Sequence, residues 1–121
     1  MKIFIAMPKA LRPFYKEELL QAKNEFDKKQ YQQSWRHLER AHILGQPYPA
    51  AHTAVHWKML GFGISIKNTK EVFGQIPRLL VGGVKSFVGK IPVGNTGGAN
   101  VPPLQPMEIP EDLLLIINKN R

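Results

Sequence analysis

The chain has 121 residues, with 17 Lys and Arg against 9 Asp and Glu, so it carries a formal net charge of +8 at pH 7. Its 43% hydrophobic and 21% charged residues are typical of one globular domain and exclude an intrinsically disordered chain. The chain contains no cysteine, which excludes disulfides, thiolate zinc sites, iron–sulfur clusters and cysteine nucleophiles.

The N-terminal sequence predicts no targeting segment. The apolar run from Ile3 to Met7 is five residues long, which is too short for the core of a signal peptide. We therefore expect a cytoplasmic protein in which residues 1–10 form an extension and residues 11–121 form a single helical domain.

Apolar residues recur with a 3.6-residue period in the first half of the chain, and this periodicity predicts three helices. They are expected over residues 13–29, 31–44 and 49–60. Pro49 suits the first turn of the third helix, and Gly61 and Gly63 predict that this helix ends there.

A fourth helical segment is predicted after Asn68, because Asn68 and Glu71 have the spacing of a helix N-terminal cap. Pro77 interrupts the segment, which predicts a bend or a split. Residues 92–110 are rich in proline and glycine and predict an irregular segment packed on the bundle. Residues 113–117 (LLLII) predict a short buried helix, with a strand as the alternative.

The apolar pattern also predicts a set of buried side chains. We expect the core to contain Phe26, Trp35, Leu38, Ala41, Leu44, Val55 and Leu60, and we assign Trp57 to it as well.

The stretch from Phe26 to Gly45 resembles the middle of a tetratricopeptide-type helical hairpin, with small residues at Ser34 and Ala41 where two helices would approach closely. The predicted fold is therefore all-α: a small helical bundle of tetratricopeptide-like antiparallel hairpins with an irregular Pro/Gly-rich C-terminal segment. Hairpins of this kind commonly bind another macromolecule in the groove between their helices, which implies a protein partner.

Three strings occur in one order along the chain: HLERAHILGQ at 37–46, HTAVHWKML at 52–60 and PVGNTGGANV at 92–101. On these strings the chain resembles a family of short bacterial proteins that is known only as a domain of unknown function. The resemblance covers about residues 11–112 and implies a small soluble protein without an assigned activity.

All four histidines lie within 20 residues of one another, at His37, His42, His52 and His56. The spacing of His52 and His56 places two imidazoles on one helical face, where they can share a metal ion. A short connection between the second and third helices predicts that His42 lies near His52.

The ligand set beyond this pair is less constrained by spacing. His37 and His42 are five residues apart, about 140° around a helix, so both cannot point at one ion. We expect His52, His56 and His42 as the main ligands, with His37 or Glu39 completing the set and Met59 as an added soft ligand for copper. An all-imidazole set suits Zn²⁺, Cu²⁺, Ni²⁺ or Fe²⁺, and the alternative is that the histidines are hydrogen-bonded packing residues between helices.

A second signal is the distribution of charge. Residues 40–107 hold seven basic residues and one acid, Glu71. The basic residues are Arg40, Lys58, Lys67, Lys70, Arg78, Lys85 and Lys90. Such a face favours an anionic partner, such as an acidic protein, a membrane surface or a nucleic acid, but no motif predicts sequence-specific nucleic-acid binding.

Two glycine-rich stretches have compositions that occur in membrane-surface or anion-binding segments. Residues 76–91 have the composition of an interfacial helix, but their charges exclude a transmembrane span, and a core helix with a solvated edge explains them better. The GlyAsnThrGlyGly run at 94–98 lacks the lysine of a phosphate loop and is better explained as a turn.

Two functions therefore stay open: a protein that binds a divalent metal through a histidine cluster, and a protein-interaction module with a basic face. No Ser–His–Asp arrangement or carboxylate pair predicts catalysis, and an enzyme would require the metal. The sequence thus favours a protein that is not an enzyme, but it excludes neither alternative. It does not predict the oligomeric state, and a homodimer is one of the alternatives.

Overall fold

The computed structural model describes residues 6–68, 70–76 and 107–120. Within these residues there are five helical segments and no strand, which confirms the predicted all-α class and a small helical bundle. In chain order the segments are α1 (Arg12–Asp27), α2 (Tyr31–Gly45), α3 (Pro49–Ser65), α4 (residues 70–76) and α5 (Glu111–Asn120).

The central element is α2, which packs against α1, α3 and α5. The small residues predicted at the α1–α2 contact are buried there, since Ser34 and Ala41 are almost fully excluded from solvent. The Ser34 hydroxyl donates a hydrogen bond to the Ala22 carbonyl at 2.7 Å, so this buried polar group has a partner.

The third helix continues five residues beyond its predicted end, to Ser65. Gly63 allows a close approach to α4 instead of ending the helix, because a Cβ atom at this position would lie 3.3 Å from side-chain atoms of Glu71 and Val72. The helix ends after Ser65, where Lys67 takes a left-handed backbone conformation with φ of 59°. The predicted cap of α4 is confirmed: the backbone N–H of Glu71 donates to Asn68 Oδ1 at 3.0 Å.

Most of the predicted core is buried. Leu38, Ala41, Leu44 and Val55 are shielded from solvent, together with Leu11, Met59 and Leu113. Phe26 and Trp35 are partly buried and pack against this core, and Leu60 is half-buried.

The assignment of Trp57 to the core is wrong, because 61% of this residue is exposed. The inward face of α3 is formed by His52, Val55, His56 and Met59. Each residue turns the helix by about 100°, so Trp57 points away from the face that holds its neighbour His56.

The C-terminal residues 107–110 are irregular, and α5 contains the predicted helix over 113–117, so its strand alternative is wrong. The predicted burial of this helix is wrong for Leu114 and Leu115, which are exposed, whereas Leu113 is buried. The predictions for residues 77–106, including the bent part of the fourth segment and most of the irregular stretch, lie outside the described residues. None of the described helices is both long and apolar enough to cross a membrane.

The three helices α1, α2 and α3 meet at Gly45. A Cβ atom there would lie 2.9 Å from the Tyr15 ring and 3.1 Å from the Ala51 methyl group, so only glycine permits this contact without a shift. The Tyr15 hydroxyl donates to the Ala51 carbonyl at 2.8 Å, which ties α1 to the first turn of α3. Burial raises the pKa of Tyr15 to about 12, so this hydroxyl keeps its proton at neutral pH.

Replacing Tyr15 with phenylalanine tests this tie, since it removes the hydroxyl and keeps the ring. We expect Tyr15→Phe to lower the free energy of unfolding by about 1 kcal/mol, as measured by urea denaturation. Tyr31→Phe, at a ring that is 40% exposed, is the matched control and should change stability by less than about 0.5 kcal/mol. Equal losses in the two variants would contradict the assignment.

Candidate metal centre

Three of the four histidines meet in the interface between α2 and α3. His42 lies in the last turn of α2, and His52 and His56 lie one turn apart on α3. All three side chains are buried, with exposed fractions of 2%, 7% and 2%. The i, i+4 spacing and the short α2–α3 connection, both visible in the sequence, thus bring together the three histidines that they predicted.

The three Nε2 atoms form a nearly equilateral triangle. Each of the three Nε2–Nε2 distances is 3.1 Å. The ring centroids are farther apart, at 4.7–4.8 Å, and the rings are inclined to one another by 57–77°. Since the nitrogens are closer together than the rings, all three imidazoles point their Nε2 atoms toward a common centre.

This triangle has the dimensions of a metal-binding face. Zinc–imidazole bonds measure about 2.0–2.1 Å, so a point at bonding distance from all three nitrogens lies about 1 Å above their plane, with N–metal–N angles near 98°. That angle lies between the ideal values for octahedral and tetrahedral coordination. The three histidines can therefore hold an ion and leave other coordination positions for further ligands.

A second layer of polar residues lies behind His56. Its Nδ1 atom is 2.6 Å from Gln75 Oε1, and Gln75, on α4, is fully buried. The Gln75 amide nitrogen donates to the Glu71 carboxylate and contacts the Met59 sulfur at 3.6 Å. The sequence analysis missed Gln75. A signal was present, because Gln75 lies four residues after Glu71, and this spacing places the two side chains on one face of the predicted helix.

The other predicted ligands lie apart from the triad. The Nδ1 atom of His37 is 2.7 Å from Glu18 Oε1, and Arg40 bonds the other oxygen of Glu18 and also Asp112. These contacts link α1, α2 and α5. The Met59 sulfur contacts the Gln75 amide, on the side of His56 that carries Nδ1.

Glu39 is half-buried and lies one helical turn before His42. Burial raises the pKa of its carboxyl group, a hydrogen bond with Trp35 lowers it, and the Glu71 carboxylate raises it. Glu39 therefore lies near α4, and its carboxylate is not part of the cluster formed by the three histidine nitrogens.

Of the residues predicted to form a basic face, Arg40 forms salt bridges with Glu18 and Asp112, so its positive charge is largely compensated within the protein. Lys58, Lys67 and Lys70 are exposed. Arg78, Lys85 and Lys90 lie outside the part of the chain that the structure describes.

The environment of His52 favours its neutral form. Burial, together with the smaller effect of the neighbouring His56, lowers the pKa of His52 from 6.5 to about 4. A neutral imidazole is the form that binds a metal, so His52 is ready to bind at neutral pH without losing a proton.

Fold and site together define a small all-helical protein with a buried histidine triad between two helices. The family described as protein of unknown function (DUF3703) matches residues 9–117, and the chain belongs to that family. This confirms the resemblance predicted from the sequence, with a match slightly longer than the expected residues 11–112. No curated protein and no solved structure matches the chain, so the likeness to tetratricopeptide hairpins stays a prediction.

The pKa of His52 makes the stability of the metal-free protein depend on pH. An unfolded histidine takes up its proton near pH 6.5, whereas folded His52 does so near pH 4, so protonation favours unfolding between these values. We expect this group to cost up to about 3 kcal/mol as the pH falls from 7 to 4. Urea denaturation of chelator-treated protein and of His52→Gln should show a steeper pH dependence for the wild type. Parallel curves for the two proteins would contradict the shift.

Proposed function

We propose that this protein binds one divalent transition metal ion through the Nε2 atoms of His42, His52 and His56. The proposal is based on the triangle formed by the three buried Nε2 atoms, which lie 3.1 Å from one another. Imidazole nitrogen is a common ligand of Zn²⁺, Fe²⁺, Ni²⁺ and Cu²⁺, and the three rings present it from one side to one point.

The alternative, three packing histidines, explains this arrangement less well. A packing role requires each buried ring nitrogen to have a hydrogen-bonding partner in a favourable direction. Three rings that converge on one centre point their Nε2 atoms at that centre, whereas a hydrogen bond between two of these atoms is best when it lies along an edge of the triangle. A metal ion satisfies all three nitrogens at once.

The geometry also narrows the choice of metal. In a square-planar site, two of three nitrogens would lie opposite each other, about 4 Å apart. The equal 3.1 Å distances instead place the three ligands on one face of a tetrahedron or octahedron. This favours Zn²⁺ or Fe²⁺ over Cu²⁺ and over square-planar Ni²⁺.

The proposal predicts that one equivalent of metal binds and that binding depends on the triad alone among the four histidines. We expect His42→Ala, His52→Ala and His56→Ala each to weaken Zn²⁺ binding by more than about 100-fold, beyond the effect of losing an outer partner. His37→Ala is the matched control and should keep wild-type affinity, because His37 contacts Glu18. The measurements are metal content by mass spectrometry on untagged protein and calorimetric titration of the metal-free form.

Binding should also stabilise the fold. With free Zn²⁺ at 100 times the dissociation constant, the free energy of unfolding should rise by about 2.7 kcal/mol in the wild type and in His37→Ala. Triad variants should show no such rise. Substoichiometric metal in the purified protein, with the same weak titration for wild type and triad variants, would refute the metal site.

A further inference from the structure

A chain of hydrogen bonds connects a carboxylate on α4 to one of the three histidines. Glu71 accepts a hydrogen bond from the Gln75 amide nitrogen, and Gln75 Oε1 lies 2.6 Å from His56 Nδ1. Gln75 is fully buried between these two partners. Outer partners of this kind orient metal-binding histidines and adjust their affinity for the ion.

The chemistry of the three groups determines the direction of each hydrogen bond. A carboxylate only accepts, so the NH₂ group of Gln75 must face Glu71 and its oxygen must face His56. An amide oxygen also only accepts, so the proton of neutral His56 must be on Nδ1. The Nε2 atom of His56 then presents its lone pair to the centre of the triangle, as metal binding requires.

The Glu71 carboxylate also lies near a second acidic group, on α2. Its carboxylate interacts with that of Glu39 on α2, and this interaction disfavours the charged form of Glu39. Glu39 is one helical turn from His42, and Glu71 reaches His56 through Gln75. A dication bound by the triad would therefore offset the repulsion between these two carboxylates.

We propose that Gln75, oriented by Glu71, is a positioning residue that holds His56 in the tautomer whose Nε2 atom binds the metal. This inference rests on the proposed metal function. It adds Gln75 and Glu71, which do not touch the ion, to the residues that set the affinity of the site.

Three variants separate orientation from charge. Gln75→Leu removes the acceptor for His56 and should weaken Zn²⁺ binding by about 10- to 100-fold. Glu71→Gln keeps a hydrogen-bonding partner for Gln75 but loses the charge, and it should cost less than about tenfold. The exchange Glu71→Gln/Gln75→Glu keeps the total charge and places a carboxylate directly on His56, so it should bind Zn²⁺ at least as tightly as the wild type.

Glu39→Gln is the matched control for charge, since it removes an equal charge from a carboxylate that is bonded to Trp35. Its loss of affinity should be no larger than that of Glu71→Gln. Circular dichroism of each metal-free variant checks that the helical fold is retained.

The tautomer itself supplies a second readout. In ¹⁵N nuclear magnetic resonance spectra of the metal-free protein, His56 should show the pattern of a proton on Nδ1, and Gln75→Leu should lose this preference. Wild-type affinity of Gln75→Leu, together with an unchanged His56 pattern, would overturn the inference and leave the metal site intact. If Gln75→Leu does not fold, binding by the exchange variant at least tenfold weaker than wild type would overturn it. Failure of the wild type to bind Zn²⁺ would instead refute the proposed function.

Discussion

Three imidazoles converge in the α2–α3 interface, and the neighbouring helices are packed around this cluster. Three buried histidines are costly in a small helical bundle, because each ring nitrogen must find a partner away from water. His42, His52 and His56 each direct one nitrogen to a shared centre. A single cation at that centre would satisfy all three, and the burial that lowers the pKa of His52 keeps this ring neutral for such a ligand.

The surrounding helices hold α2 and α3 in the register that the triad needs. Gly45 lets the end of α2 approach α1 and α3 closely, three residues after His42. The Tyr15 hydroxyl bonds the Ala51 carbonyl, next to His52. Gly63 brings α4 close to α3, and α4 carries Gln75 to the back of His56. Close contacts between helices, permitted by two glycines, thus place the site.

Much of this arrangement follows from local rules. Helical periodicity predicts α1, α2 and most of α3, and the i, i+4 spacing predicts that His52 and His56 share a face. The five-residue separation of His37 and His42 predicts that they diverge, and the structure places His37 against Glu18 instead. The short connection after Gly45 predicts the proximity of His42 to His52.

The remaining features depend on contacts between segments that no local pattern reveals. Glycine in a helix predicts an end, yet Gly63 lies inside α3 because α4 packs against it. An aromatic residue predicts burial, yet Trp57 is exposed because the inward face of α3 is occupied by histidines. Gln75 is 19 residues from His56 and chemically ordinary, so only the packing of α4 identifies it as a partner.

X-ray absorption spectroscopy of the Zn²⁺-loaded, untagged protein tests the proposed metal site, because it counts the ligands of the ion itself. We expect nitrogen ligands at about 2.0–2.1 Å from the ion, together with scattering from the outer ring atoms of three imidazoles. That scattering should persist in His37→Ala and fall to two imidazoles in His42→Ala. A spectrum with only oxygen ligands, or an unchanged imidazole count in His42→Ala, would contradict a metal centre built from His42, His52 and His56.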